Sequence, residues 1–132
     1  MSVERETFPA LVEEGAVVIG YVDSAYWIDV GTPADYIRAG ADIVTGVVRS
    51  PAYEGPVGPA YVMDGAVVDP SATIVGGATI GPGVRVGRNA VVDGSVLMAD
   101  AVVGDNAVVR RSALGVRAML GDDGFLEDAV VV

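Results

Sequence analysis

The fold class predicted here is a solenoid of short parallel β-strands, and three observations predict it. An aliphatic residue returns every five or six positions at Val62, Val68, Ile74, Ile80, Val86, Val92, Leu97, Val103, Val109, Leu114, Leu120 and Leu126. Four residues after each stands Ala, Val or Gly, from Ala66 and Ala72 through Gly124 and Val130. Turn formers fill the intervals, as in Asp69-Pro70, Gly81-Pro82-Gly83, Asp93-Gly94 and Asp105-Asn106.

A strand buries every second side chain, so a branched residue and a small one four places on both point inward when the chain turns a corner between them. The step is six everywhere except at Val92 to Leu97 and Val109 to Leu114, where it is five. Three units per coil make the twelve units into about four coils, enough neighbours to bury a continuous core. An ordinary sandwich would show longer and less regular spacings.

The residues before the repeat read as a small mixed α/β piece, taken in order. Ser2 caps a short helical turn from Val3 and Glu4, and Pro9 begins another through Leu11 to Glu14, stopped by Gly15. Ala16 to Val22 and Tyr26 to Val30 read as two short strands around a turn at Asp23-Ser24. Thr32 then caps a helix from Pro33 to about Thr45, with Gly46 as its stop. The stretch 49–60, with Pro51, Gly55, Pro56, Gly58 and Pro59, reads as a linker. The expected division is 1–48, 49–60 and 61–132. Two short strands and two helices cannot close a core alone, so residues 1–48 are expected to need a partner sheet on their N-terminal side.

Composition excludes several function classes. Of 132 residues 52% are hydrophobic but only 6% aromatic, which suits narrow coils filled by Val, Ala, Leu and Ile. The net charge of -10, from 18 acids and 8 bases, opposes a nucleic-acid or anionic-membrane partner. There is no apolar run long enough to span a bilayer and no basic-then-apolar leader, and a cytoplasmic location is expected. Without cysteine there is no disulfide framework or thiolate chemistry; without histidine there is no imidazole base or ligand. All eight bases are arginines, so a P-loop lysine is impossible.

The repeat, as in Ile80-Gly81-Pro82-Gly83-Val84 and Val103-Gly104-Asp105-Asn106-Ala107, resembles the hexapeptide-repeat left-handed β-helix. Left-handedness is what the resemblance implies, since general crossover rules give the opposite hand. Acyltransferases with this repeat rely on a histidine base, so the missing histidine disfavours that activity here.

The segment Tyr26-Trp27-Ile28-Asp29-Val30-Gly31-Thr32-Pro33-Ala34-Asp35-Tyr36 is similar to the tail of the catalytic domain in sugar-nucleotide pyrophosphorylases. Ser2 to Pro9 resembles the stretch shortly before that tail. Within this nucleotidyltransferase superfamily the resemblance is nearest to mannose-1-phosphate guanylyltransferases, which also append a hexapeptide β-helix. It implies nucleotidyl transfer, in which a sugar 1-phosphate attacks the α-phosphate of a nucleoside triphosphate and pyrophosphate leaves. It also implies Mg²⁺, with Asp29 in the place of a metal ligand in the W-x-D motif. The residues alone favour a plainer role for Asp29, a hydrogen bond to the Gly31-Thr32 turn.

The family's Gly-rich nucleotide loop, its sugar-phosphate lysine and a second metal acid have no counterpart in this sequence. The chain is therefore expected to be the C-terminal portion of a pyrophosphorylase, started from an internal methionine and inactive alone, its partner being a missing N-terminal catalytic domain. Self-association through the β-helix is expected, since Ala129 to Val132 leave an apolar solenoid end. The alternative is a non-catalytic β-helix scaffold or oligomerisation module. Blander readings hold elsewhere. Tyr26 and Trp27 are expected to pack against the sheet of the missing domain, Asp35 supports the helix start, Arg110-Arg111 is a solvated pair, and Asp122-Asp123 is a poor metal site.

Overall fold

A computed structural model describes residues 2–132. Ser2 accepts the N–H of Arg5 on its hydroxyl and caps a π-helical turn, Val3–Thr7. Helix α1, Phe8–Glu13, has Pro9 in its first turn, and Gly15 leads the chain out at φ +75°. Helix α2, Pro33–Val44, begins at Thr32, whose hydroxyl accepts the N–H of Asp35 at 3.2 Å and donates to its carboxylate at 2.7 Å. These helices fall where their caps and prolines predict them.

The two strands expected at Ala16 to Val22 and Tyr26 to Val30 do not form. A strand persists only where its backbone groups meet a neighbouring ladder and its apolar side chains meet a face. Here Ile19, Tyr21 and Trp27 are 84%, 91% and 81% exposed, so β-propensity has nothing to act on. Within this chain the N-terminal piece is helical, with an extended segment that pairs with no strand.

From residue 60 the chain coils. The first coil carries β1 (Ala60–Val62), β2 (Val67–Val68) and β3 (Thr73–Val75). The second carries β4 (Ala78–Ile80), β5 (Arg85–Val86) and β6 (Val91–Asp93), and the third β7 (Val96–Leu97), β8 (Val102–Val103) and β9 (Val108–Arg110). The fourth holds β10 (Ala113–Leu114), β11 (Met119–Leu120) and β12 (Phe125–Glu127), and β13 (Val130–Val131) opens a fifth. Strands stack in parallel as three sheets, ordered β1-β4-β7-β10-β13, β2-β5-β8-β11 and β3-β6-β9-β12. Three strands per coil and about four coils match the repeat, and each of the twelve aliphatic residues lies in one of β1 to β12.

The core is a column of these residues. Ile80, Leu97 and Leu114 are paired coil to coil and fully buried, as are Val92 and Val109. Small alanines, Ala90, Ala101 and Ala107, lie fully buried beside them where the chain bends. With about 1.5 to 3 kcal/mol for each fully buried Val, Leu or Ile side chain, this column supplies most of the driving force for folding.

One part of the pattern needs correction. At the two five-residue steps the inward small residue is not Val96 or Ala113 but the residue before each, Ser95 and Ser112, 1% and 0% exposed. Val96 and Ala113 face outward, beneath Ile37 of α2. The hydroxyl compensates for the omitted residue. Ser95 donates to the Asp93 carbonyl at 2.8 Å and accepts the N–H of Ser112 at 3.1 Å; Ser112 donates to the Arg110 carbonyl at 2.7 Å and accepts the N–H of Ala129 at 3.1 Å. Seventeen residues separate each of these coil-to-coil pairs. A third five-residue step, Leu126 to Val131, follows from the pairing of Leu114 with Val131.

Candidate functional site

Asp29 lies exposed on the extended segment between α1 and α2. The turn after it does not use its carboxylate as its partner; Thr32 turns instead to Asp35, which also pairs with Arg38 at 3.1 Å. Among the described residues no group of three or more potential metal-ligating side chains comes together. A divalent cation needs several oxygen ligands around it, so the residues present do not make a Mg²⁺ site.

The chain does fix where this segment sits. The Tyr26 hydroxyl donates to the Asp42 carboxylate at 2.6 Å, tying the segment to the middle of α2. That bond holds the Tyr26 hydroxyl above its usual pKa, because ionising it would set two anions against each other. Trp27 projects away from α2 and the solenoid and is 81% exposed in this chain.

Helix α2 lies across the first sheet. Its apolar face buries Ile37 and Val44, and Ile37 packs on Val96 and Ala113. Ala41 lands on Gly77, at the corner between β3 and β4. Gly77 has φ +75°, and a Cβ there would stand 2.7 Å from the Ala41 Cα and 2.8 Å from its carbonyl oxygen, closer than atoms approach. This corner is the only one of its column with a six-residue step, from Ile74 to Ile80, so the additional residue of Gly76-Gly77 coincides with the helix seat.

Beside the seat, α2 and the solenoid enclose an open cleft of about 460 Å³, with Ala34, Ile37 and Ala41 on one side and Asp93, Arg111 and Asp128 on the other. Arg111 is engaged. Its guanidinium donates to Asp128 at 2.8 and 2.7 Å and to Glu127 at 2.9 Å. The guanidinium holds the Asp128 carboxyl below the usual carboxylate range. Arg38 at the other rim faces Asp35, so each guanidinium of the cleft already meets a carboxylate. Arg111 is thus ion-paired rather than merely solvated.

Asp122 and Asp123 also have structural partners. Asp122 accepts the N–H of Asp105 at 2.9 Å, and Asp123 accepts from the Asn106 side-chain amide at 3.1 Å. Arg88 pairs with Asp105 at 2.6 Å in the same stack. The partners stand one coil apart, sixteen or seventeen residues, a spacing that the repeat itself supplies. The Tyr26 to Asp42 bond and the Ala41 to Gly77 contact have no such periodic signal.

A family model described as the GMPPB C-terminal domain matches residues 56–132. A mannose-1-phosphate guanylyltransferase of Mycobacterium tuberculosis is 47% identical over 98 residues, which cover 74% of this chain and 27% of that protein. Mannose-1-phosphate guanylyltransferase 1 of Arabidopsis thaliana is 29% identical over 98 residues, with the same coverage. A probable mannose-1-phosphate guanylyltransferase 3 of Oryza sativa subsp. japonica is 31% identical, again over 98 residues. The chain spans about a quarter of the length of the curated relatives it matches.

Proposed function

Since the chain belongs to the family of the GMPPB C-terminal domain, we propose that it is the C-terminal portion of a mannose-1-phosphate guanylyltransferase. In the whole enzyme mannose 1-phosphate attacks the α-phosphate of GTP; a phosphate–oxygen bond forms to the sugar phosphate, the bond to pyrophosphate breaks, and GDP-mannose results. The observation that carries this reading is the 47% identity to the mycobacterial enzyme across 98 residues, a span that the β-helix alone cannot fill and that therefore reaches into the N-terminal piece.

Within that enzyme the chain supplies the β-helix, the helix packed on it and the Asp29 segment. The bare Ile19, Tyr21 and Trp27 support this division of labour, because a neighbouring sheet would pair the backbone and cover the side chains. Mg²⁺ at Asp29 would take its remaining ligands from residues outside this chain. The chain alone carries no nucleotide loop and no lysine, and it is inactive by itself. No helix of the described residues is long and apolar enough to cross a membrane, and we place the enzyme in the cytoplasm.

A second reading, a β-helix scaffold that joins subunits, draws on the exposed apolar side chains Val116, Met119 and Phe125 of the fourth coil. Both readings include self-association through the β-helix. They part at Asp29, for which a scaffold has no use. The reading frame upstream of the Met1 codon tests the enzyme reading. It should continue into a Gly-rich nucleotide loop and a lysine-bearing sugar site, whereas an in-frame stop immediately upstream would favour the scaffold.

A further inference from the structure

The solenoid meets the Asp29 segment through a short relay of contacts. Gly77 receives Ala41 of α2, with no room for a Cβ between them. The next residue of the helix, Asp42, accepts the Tyr26 hydroxyl at 2.6 Å. Tyr26 and Asp29 are three residues apart on the unpaired segment, and Thr32 anchors the segment's other end at the helix start. Asp29 is thereby bracketed on both sides by attachments to one helix, which is seated by Ala41 on the corner between the first and second coils and by Ile37 on Val96 and Ala113.

We infer that Gly77 and the Tyr26–Asp42 pair are positioning residues, which set where the β-helix holds the Asp29 segment. Three features support it. The additional corner residue occurs where the helix lands and is absent from the later corners of that column. Gly77 takes a left-handed conformation open to glycine and rarely to other residues. Finally, the segment pairs with no strand of this chain, so within the chain its place depends on these few contacts. The functional part of the inference, that this placement serves nucleotidyl transfer, rests on the proposed function.

Trp27 is the sole tryptophan and lies between Tyr26 and Asp29, so its fluorescence anisotropy decay reports the segment in the intact chain. Asp42→Ala removes the acceptor and should enlarge the fast, local component roughly fivefold, the change expected when a hydrogen bond of about 1 kcal/mol is lost. Asp42→Asn keeps an acceptor oxygen and should restore the wild-type decay. Gly77→Ala should release the helix and enlarge the same component, while far-ultraviolet circular dichroism keeps the β-helix signal. If Trp27 is equally mobile in wild type, Asp42→Ala and Gly77→Ala, the bracket is overturned.

A complete enzyme carrying this tail separates the two levels. With the bracket acting in catalysis, Asp42→Ala lowers kcat while the KM for GTP stays constant, and Asp42→Asn restores kcat. A loosened Trp27 with unchanged kcat would leave the bracket standing and overturn its part in nucleotidyl transfer.

Discussion

The Ser95 hydroxyl accepts the backbone N–H of Ser112, one coil further on, at 3.1 Å, while donating to the Asp93 carbonyl behind it. One buried oxygen so satisfies the corner that lacks a residue. Ser95→Ala fills the space but leaves the Ser112 N–H without a partner in the interior. The expected cost is about 1 to 3 kcal/mol. Urea denaturation should show a lower midpoint with an unchanged slope; an unchanged midpoint would mean that the serine is only a small residue in a tight place.

Core substitutions should grade along the solenoid axis. Leu97 is fully buried in a middle coil, whereas Leu126 lies half-buried in the last complete one. Leu97→Ala should cost about 2 to 5 kcal/mol, and Leu126→Ala distinctly less, since the open end can relax and water already reaches it. Equal losses at the two positions would contradict the end-to-middle gradient.

The Arg111 to Asp128 pair should be visible in the pH dependence of stability. Asp128 has a folded pKa below its usual 3.8, first because Arg111 hydrogen-bonds it. A depressed carboxyl contributes stability that is fully present above the unfolded value and is lost as pH falls through the folded one. The gap in thermal midpoint between wild type and Asp128→Asn should therefore stay constant at neutral pH and close as the pH drops below 3.8. A gap that widens in acid would contradict the ion pair as its source.

The β-helix is legible in the sequence because its information is local and repeated. Val62 to Leu126 mark one inward column, and the omitted residues at two steps identify the special corners. Sequence spacing alone puts Val96 and Ala113 inward, and the error is physical, because dropping one residue reverses the facing of the next side chain until the corner restores it. The serines at 95 and 112 carry the correct signal. Ala16 to Val30 misleads because a strand is a property of a pair, and the valines, Ile19 and Tyr21 there express a preference with no neighbour. The seat of Ala41 on Gly77 is out of reach, since Gly76-Gly77 looks like any turn until a helix stands on it. Asp29 is found by resemblance alone, and the structure adds its attachments rather than its ligands.

The most direct measurement is GDP-mannose formation from GTP and mannose 1-phosphate, with three proteins compared. They are this chain alone, the Mycobacterium tuberculosis relative cut before the segment it shares with this chain, and a chimera in which this chain replaces that segment. The chimera should form GDP-mannose at a rate close to that of the intact relative, and the other two should form none. Product from the chain alone, or a well-folded chimera as silent as the truncated relative, would contradict its assignment as the C-terminal portion of a guanylyltransferase.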